Sequence, residues 1–189
     1  MIRFLSCISV TVLALSFCAM SAFAATASKL DKSRKMDLPS AISDSLPWFA
    51  VREFTENAAP FTRSHLAKLA EKNNRTALVY FATWCIPCRA GIKRLVENFD
   101  ELQKNNVSIV LVNIGERDEK LVKSWIEKIN ASKFIVVNDP FKRLTEGFGL
   151  VKEGEDISLP RTIVLNKNLK PLFMLGEEGA DWPQVLWTK

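Results

Sequence analysis

The chain has 189 residues, with 26 Lys and Arg against 21 Asp and Glu, one His and four Cys. That length supports one domain with a proper core rather than several, and no internal repeat or low-complexity tract breaks it up. The net charge of +5 is spread along the chain without a basic stripe interleaved with aromatics, which excludes a nucleic-acid-binding surface.

At the N-terminus, Arg3 precedes an apolar run from Phe4 to about Met20, and Ala22-Phe23-Ala24 supplies a small-x-small cleavage pattern. This predicts a secretory signal peptide over residues 1–24. Two other readings stay open. The run is about long enough to remain as an uncleaved membrane anchor, since spanning takes roughly 17 to 25 residues, although Ser6, Ser9, Thr11 and Ser16 interrupt it. Leu15-Ser16-Phe17-Cys18 is similar to a lipoprotein box, with bulky Phe17 where a small residue is expected. Cleavage removes Cys7 and Cys18 and leaves Cys85 and Cys88 as the remaining thiols. Residues 25–46 are polar with little apolar periodicity and are expected to be linker. Within them Lys29, Lys32, Arg34 and Lys35 read as a solvated run or as a weak contact for anionic lipid. Residues 47–189 are expected to form the folded domain.

Inside that domain, Thr62 to about Lys72 has helical spacing, and residues 76–82 form a buried apolar strand. From Cys88 onward Ile92, Leu95, Val96, Phe99 and Leu102 recur at helical spacing until Asn105-Asn106 ends the run. Val107 to Asn113 is a second strand, residues 118–130 a helix, Phe134 to Val137 a short strand and Phe141 to Gly147 a brief helix. Arg161 to Leu165 and Leu169 to Leu175 make a hairpin across Asn166-Lys167-Asn168, and a last helix covers about Asp181 to Trp187. Alternating strands and helices closed by a hairpin and a helix describe an α/β sandwich with a mixed central sheet.

Trp84-Cys85-Ile86-Pro87-Cys88 stands where the first buried strand gives way to a helix. A Cys-x-x-Cys delivered to a first helical turn is the layout of a thiol–disulfide active site. Unpaired N–H groups and the positive end of the helix dipole favour the Cys85 thiolate, the form that attacks disulfides. Cys88, one turn on, can resolve the mixed disulfide. Pro87 limits backbone freedom where no helical N–H is needed, and Trp84 offers either an apolar docking surface or simple packing. Arg89 and Lys93 add positive charge near the helix start or face solvent. With no other thiol left after cleavage, the pair is functional rather than a staple, since so short a loop adds little stability.

The chain resembles the thioredoxin superfamily, and within it the secreted bacterial TlpA/ResA-type thiol–disulfide oxidoreductases. The resemblance covers about residues 60 to 189 and rests on Phe81-Ala82-Thr83-Trp84-Cys85-Ile86-Pro87-Cys88-Arg89 and on Leu159-Pro160-Arg161-Thr162-Ile163-Val164-Leu165, with Asp139 to Leu150 between them. It implies a thioredoxin-like sandwich, a redox-active Cys85–Cys88 disulfide and no other cofactor. It also implies that Pro160 is cis and packs against that disulfide, and that Leu159 offers main-chain hydrogen bonds to an extended substrate segment. The implied partners are proteins carrying disulfides or thiols and an inner-membrane thiol–disulfide carrier; the implied place is the periplasm.

The departures are specific. Val79 stands where thioredoxins carry a buried acidic residue, Ile86 where some relatives have Glu, and Gly91 and Lys93 where an acidic residue and a proline are usual. Deprotonation of Cys88 is therefore expected to depend on solvent or on a side chain the sequence does not identify. Structural zinc is excluded, since two cysteines and His65 fall short of the roughly four ligands needed. A peroxidase is excluded because no Pro-x-x-x-Thr-x-x-Cys precedes Cys85. The sequence points to a reductase or exchange enzyme acting on secreted proteins, apocytochrome c included. A dithiol oxidase, a Cu(I)-binding module and an interaction module with idle cysteines remain as alternatives.

Overall fold

The computed structural model of the chain describes residues 32–54, 59–152 and 154–188. The predicted signal peptide and the first part of the expected linker lie outside the described residues. In chain order the elements are β1 Arg34–Met36, a 3-10 turn at Ser40–Ile42, β2 Ala50–Glu53, β3 Phe61–Thr62, α1 Arg63–Glu71, β4 Arg75–Phe81, α2 Ile86–Glu97 and α3 Phe99–Lys104. Then follow β5 Val107–Ile114, α4 Glu119–Lys128, β6 Ile135–Asp139, α5 Arg143–Gly147, β7 Arg161–Asn166, β8 Pro171–Glu177 and α6 Trp182–Trp187.

The strands form one sheet in the order β1-β8-β7-β4-β5-β6-β2-β3. β4, β5 and β6 run parallel, β7 lies antiparallel beside β4, and β8 lies antiparallel on the far side of β7. Alternation along each strand sends neighbouring side chains to opposite faces, and two cores result. Ala77, Val79 and Phe81 of β4 pack with Cys88, Ile92 and Leu95 of α2, Trp125 of α4 and Trp182 of α6. Leu78 and Tyr80 face the other way, against Leu66 of α1, Leu144 of α5 and Phe148. The mixed thioredoxin-like sandwich expected from the sequence is the fold that forms.

The expected linker over residues 25–46 needs correction from Lys32 onward, where the compact unit begins. β1 pairs with β8, with Lys35 opposite Leu175, and Ile42 and Leu46 are buried in the second core. The Ser33 N–H and hydroxyl both donate to Asp181, at 2.6 and 2.8 Å. The segment is polar overall because β1 lies on an exposed edge; its few apolar residues anchor it.

Candidate active site

β4 runs through the middle of the sheet and stops at Phe81. The chain then turns so that Cys85 N–H donates to Ala82 O at 3.1 Å, and α2 starts at Ile86 with Cys85 as its N-cap. Pro87 occupies the first turn, where a helix needs no N–H donor. The Cys88 N–H points at Cys85 Sγ from 3.2 Å, so an unpaired helix donor is aimed at the sulfur that must carry negative charge. Cys85 and Cys88 are joined as a disulfide, with Cα atoms 5.3 Å apart.

Cys88 is fully buried, and Cys85 is only 4% exposed. The sulfur at the start of α2 is thus recessed, although the helix start itself lies at the surface. The residues beside it carry the exposure instead, Trp84 at 68% and Ile86 at 79%. The recessed Cys85 sulfur is therefore flanked by two exposed apolar side chains.

Leu159 and Pro160 come to the same end of the sheet. Arg161 pairs with Tyr80 across the antiparallel β4–β7 ladder, which sets Pro160 level with the end of β4, where the Cys85 turn begins. The Leu159–Pro160 peptide is cis, Pro160 is buried, and Leu159 packs between both cores. Elsewhere, Arg89 lies over the Trp125 ring, 5.8 Å from its centroid, and Lys93 is exposed. His65 caps α1 through Thr62, whose N–H donates to its Nδ1 at 3.2 Å. Among the described residues no three His, Cys, Asp or Glu side chains converge as a metal site.

Two carboxylates near the site escaped the sequence reading. Glu116, just beyond β5, receives the Thr83 N–H at 2.8 Å, the Thr83 hydroxyl, and the Asn113 side-chain amide at 2.6 Å. It thereby holds the turn that leads into Trp84 and Cys85. Glu116→Ala leaves those donors unpaired, at a cost of about 1 to 3 kcal/mol. The expected result is a melting point lower by roughly 3 to 10 °C and slower reaction of Cys85 with a small disulfide, both read on the same sample. The second carboxylate is Glu178, directly after β8. Its Oε1 accepts from Thr162 Oγ1 at 2.9 Å, while Oε2 is shut off from solvent with no partner. Burial pushes its pKa up to about 8, against the smaller opposing pulls of Thr162 and Arg94.

The amino-acid sequence matches the AhpC/TSA family over residues 43–170, most of the chain. The chain belongs to the AhpC/TSA family. Among curated relatives it is similar to the sporulation thiol-disulfide oxidoreductase A of Bacillus subtilis (strain 168), 28% identical over 123 residues, 61% of this chain and 70% of that protein. The fold is similar to that of a secreted thiol-disulfide isomerase from Corynebacterium glutamicum, with a TM-score of 0.63 at 19% identity over 82% of this chain and 89% of the other. It is also similar to a putative thiol:disulfide interchange protein DsbE from Chlorobium tepidum, with a TM-score of 0.59 at 19% identity over 79% and 93%. This AhpC/TSA family member is a thiol–disulfide oxidoreductase of thioredoxin-like fold, with Cys85 and Cys88 as its disulfide. Among the described residues no helix is long and apolar enough to cross a membrane.

Proposed function

We propose that the protein works in the periplasm as a reductase or exchanger of disulfides in secreted proteins, using no cofactor beyond the Cys85–Cys88 couple. The observation that carries this is the couple itself, placed at a helix N-terminus behind an exposed apolar rim and level with the cis Leu159–Pro160 peptide. Cys85 attacks the substrate disulfide and Cys88 resolves the intermediate. Trp84 and Ile86 dock the substrate chain, Pro87 holds the first turn, Pro160 packs beside the couple, and the Leu159 main chain aligns an extended segment.

The signal-like N-terminus supports the periplasmic assignment, and the Corynebacterium glutamicum protein of similar fold is described as secreted. Because the periplasm is kept oxidising, a reductase there must be recharged by a thiol carrier in the inner membrane. Apocytochrome c is one substrate with the required paired cysteines. The reduction potential of the couple tests the direction. A value near thioredoxin's, about −270 mV, is expected; a value near about −120 mV, that of a strong periplasmic oxidant, would make the protein a disulfide donor and overturn this reading.

A further inference from the structure

Glu178 is a buried carboxylate that no fold-holding contact fully satisfies. Oε1 has the Thr162 hydroxyl, Oε2 has nothing, and burying an incompletely paired carboxylate is unfavourable. Two observations place it. From below, Thr162 sits opposite Val79 in the β4–β7 ladder, and directly opposed residues share a face. Val79 belongs to the core that contains Cys88, so the carboxylate tied to Thr162 lies on the Cys88 side of the sheet. From above, a methyl group placed on Gly91 would stand 2.1 Å from Glu178 Oε2. Gly91 follows Cys88 by three residues on the same buried face of α2, about 4.5 Å along the helix axis. The missing side chain at Gly91 is the space that the carboxylate fills. Arg94 fastens α2 to the same turn by donating to the Glu178 and Gly179 carbonyls at 2.9 and 3.1 Å.

We propose that Glu178 carries the proton of Cys88 during disulfide exchange, a role that rests on the exchange chemistry of the Cys85–Cys88 pair. In the reductive direction the Cys85 thiolate attacks a substrate disulfide, forming a Cys85–substrate bond and releasing one substrate thiolate, which takes a proton from water. The Cys88 thiol then gives its proton to the Glu178 carboxylate, and the new Cys88 thiolate attacks Cys85 Sγ. The Cys85–Cys88 bond forms, the Cys85–substrate bond breaks, and the second substrate sulfur leaves as a thiolate that is protonated by solvent. Two electrons pass from the dithiol to the substrate, which departs as two thiols. When a donor dithiol later cuts the Cys85–Cys88 bond, the Glu178 carboxyl returns the proton to Cys88.

The pKa of about 8 suits both directions, because a free thiol ionises near about 8.5 and proton transfer between matched groups is efficient either way. Arg94 of α2 is the charged side chain that bears on Glu178. The Thr162 hydroxyl of β7 and the Trp182 ring of α6 are uncharged neighbours, and Cys88 is the titrating one on α2.

The test mixes reduced full-length protein with dithiobis(nitrobenzoate) and follows the released chromophore across a pH series. The first burst reports attack by Cys85, the second reports resolution by Cys88. In the unsubstituted protein the second burst is expected to follow two ionisations shared by Cys88 and Glu178. Glu178→Gln, which keeps volume and the bond from Thr162, is expected to retain the first burst, slow the second about tenfold or more at neutral pH and leave one ionisation. Thr162→Val, which removes the bond that holds the carboxyl down, is expected to move the Glu178 ionisation to higher pH. A Glu178→Gln second burst with the unsubstituted rate and pH profile would overturn the proposal, as would an unshifted Thr162→Val midpoint; the latter decides the matter if Glu178→Gln does not fold. An unsubstituted protein without a first burst would sink the exchange chemistry itself, and the proposal with it.

Discussion

Cys85→Ala is expected to abolish disulfide exchange, while Cys88→Ala keeps the first chemical step and loses the second. The difference follows from position. Cys85 is the N-cap of α2, with the Cys88 N–H directed at its sulfur, whereas Cys88 is fully buried and is reached only through Cys85. Alanine at position 85 removes the outer sulfur of the Cys85–Cys88 pair and costs only about 1 kcal/mol of capping, so the protein should remain folded. Alanine at position 88 leaves the nucleophile with nothing to expel the substrate, and the mixed disulfide accumulates. The measurement is non-reducing electrophoresis of secreted proteins recovered with each variant. Adducts that disappear on reduction are expected with Cys88→Ala and none with Cys85→Ala. Recovery of no adduct with Cys88→Ala would count against protein disulfides as the substrate.

Stability is expected to fall as pH rises, with Glu178 as the cause. Its carboxyl moves from an ordinary value of 4.5 to about 8 on folding, through burial. Between those two values the folded chain binds the proton more often than the unfolded chain. Its contribution is therefore fully present below about pH 4.5 and is lost as pH climbs through about 8. At about 1.4 kcal/mol per pH unit the loss is on the order of 3 to 5 kcal/mol, a large share of the roughly 5 to 15 kcal/mol that holds a domain folded. Glu178→Gln carries no such proton and should be flat over the same window, and more stable than the unsubstituted protein at its alkaline end. Melting points at about pH 5 and about pH 9 measure this, with a drop of roughly 10 °C expected for the unsubstituted protein alone. A melting point that holds steady or rises in the unsubstituted protein would refute it.

The inner strands were legible because their chemistry is local. Val107 to Ile114 and Arg75 to Phe81 are long apolar runs, and Cys-x-Pro-Cys at a strand-to-helix junction reads as a redox site without reference to distant residues. What escaped has distant partners. β1, β2 and β3 span three, four and two residues, too few for a period to register. The Ser33–Asp181 contact spans 148 positions. Glu178 sits in Gly176-Glu177-Glu178-Gly179, which in sequence is an ordinary polar turn; only folding brings it against Gly91 and Thr162. The sequence did mark Gly91 and Val79 as departures from a family pattern. Their sense is steric and concerns an acid carried from the opposite end of the domain. Glu116 was hidden in the same way, in a Gly-Glu-Arg turn whose partner Thr83 lies 33 residues earlier.

The flanks of the sheet differ from its middle. On one side β8 is covered by the three residues of β1, and on the other β2 is covered by the two of β3. A long unpaired flank is a template for a stranger's strand, and the proteins that need their disulfides corrected are those whose own strands have not yet found partners. Stubs of two and three residues give such a chain almost no ladder to extend. On the function proposed above, contact with a half-folded client would be concentrated where the sulfurs are, and after exchange little edge-strand pairing would hold the client back.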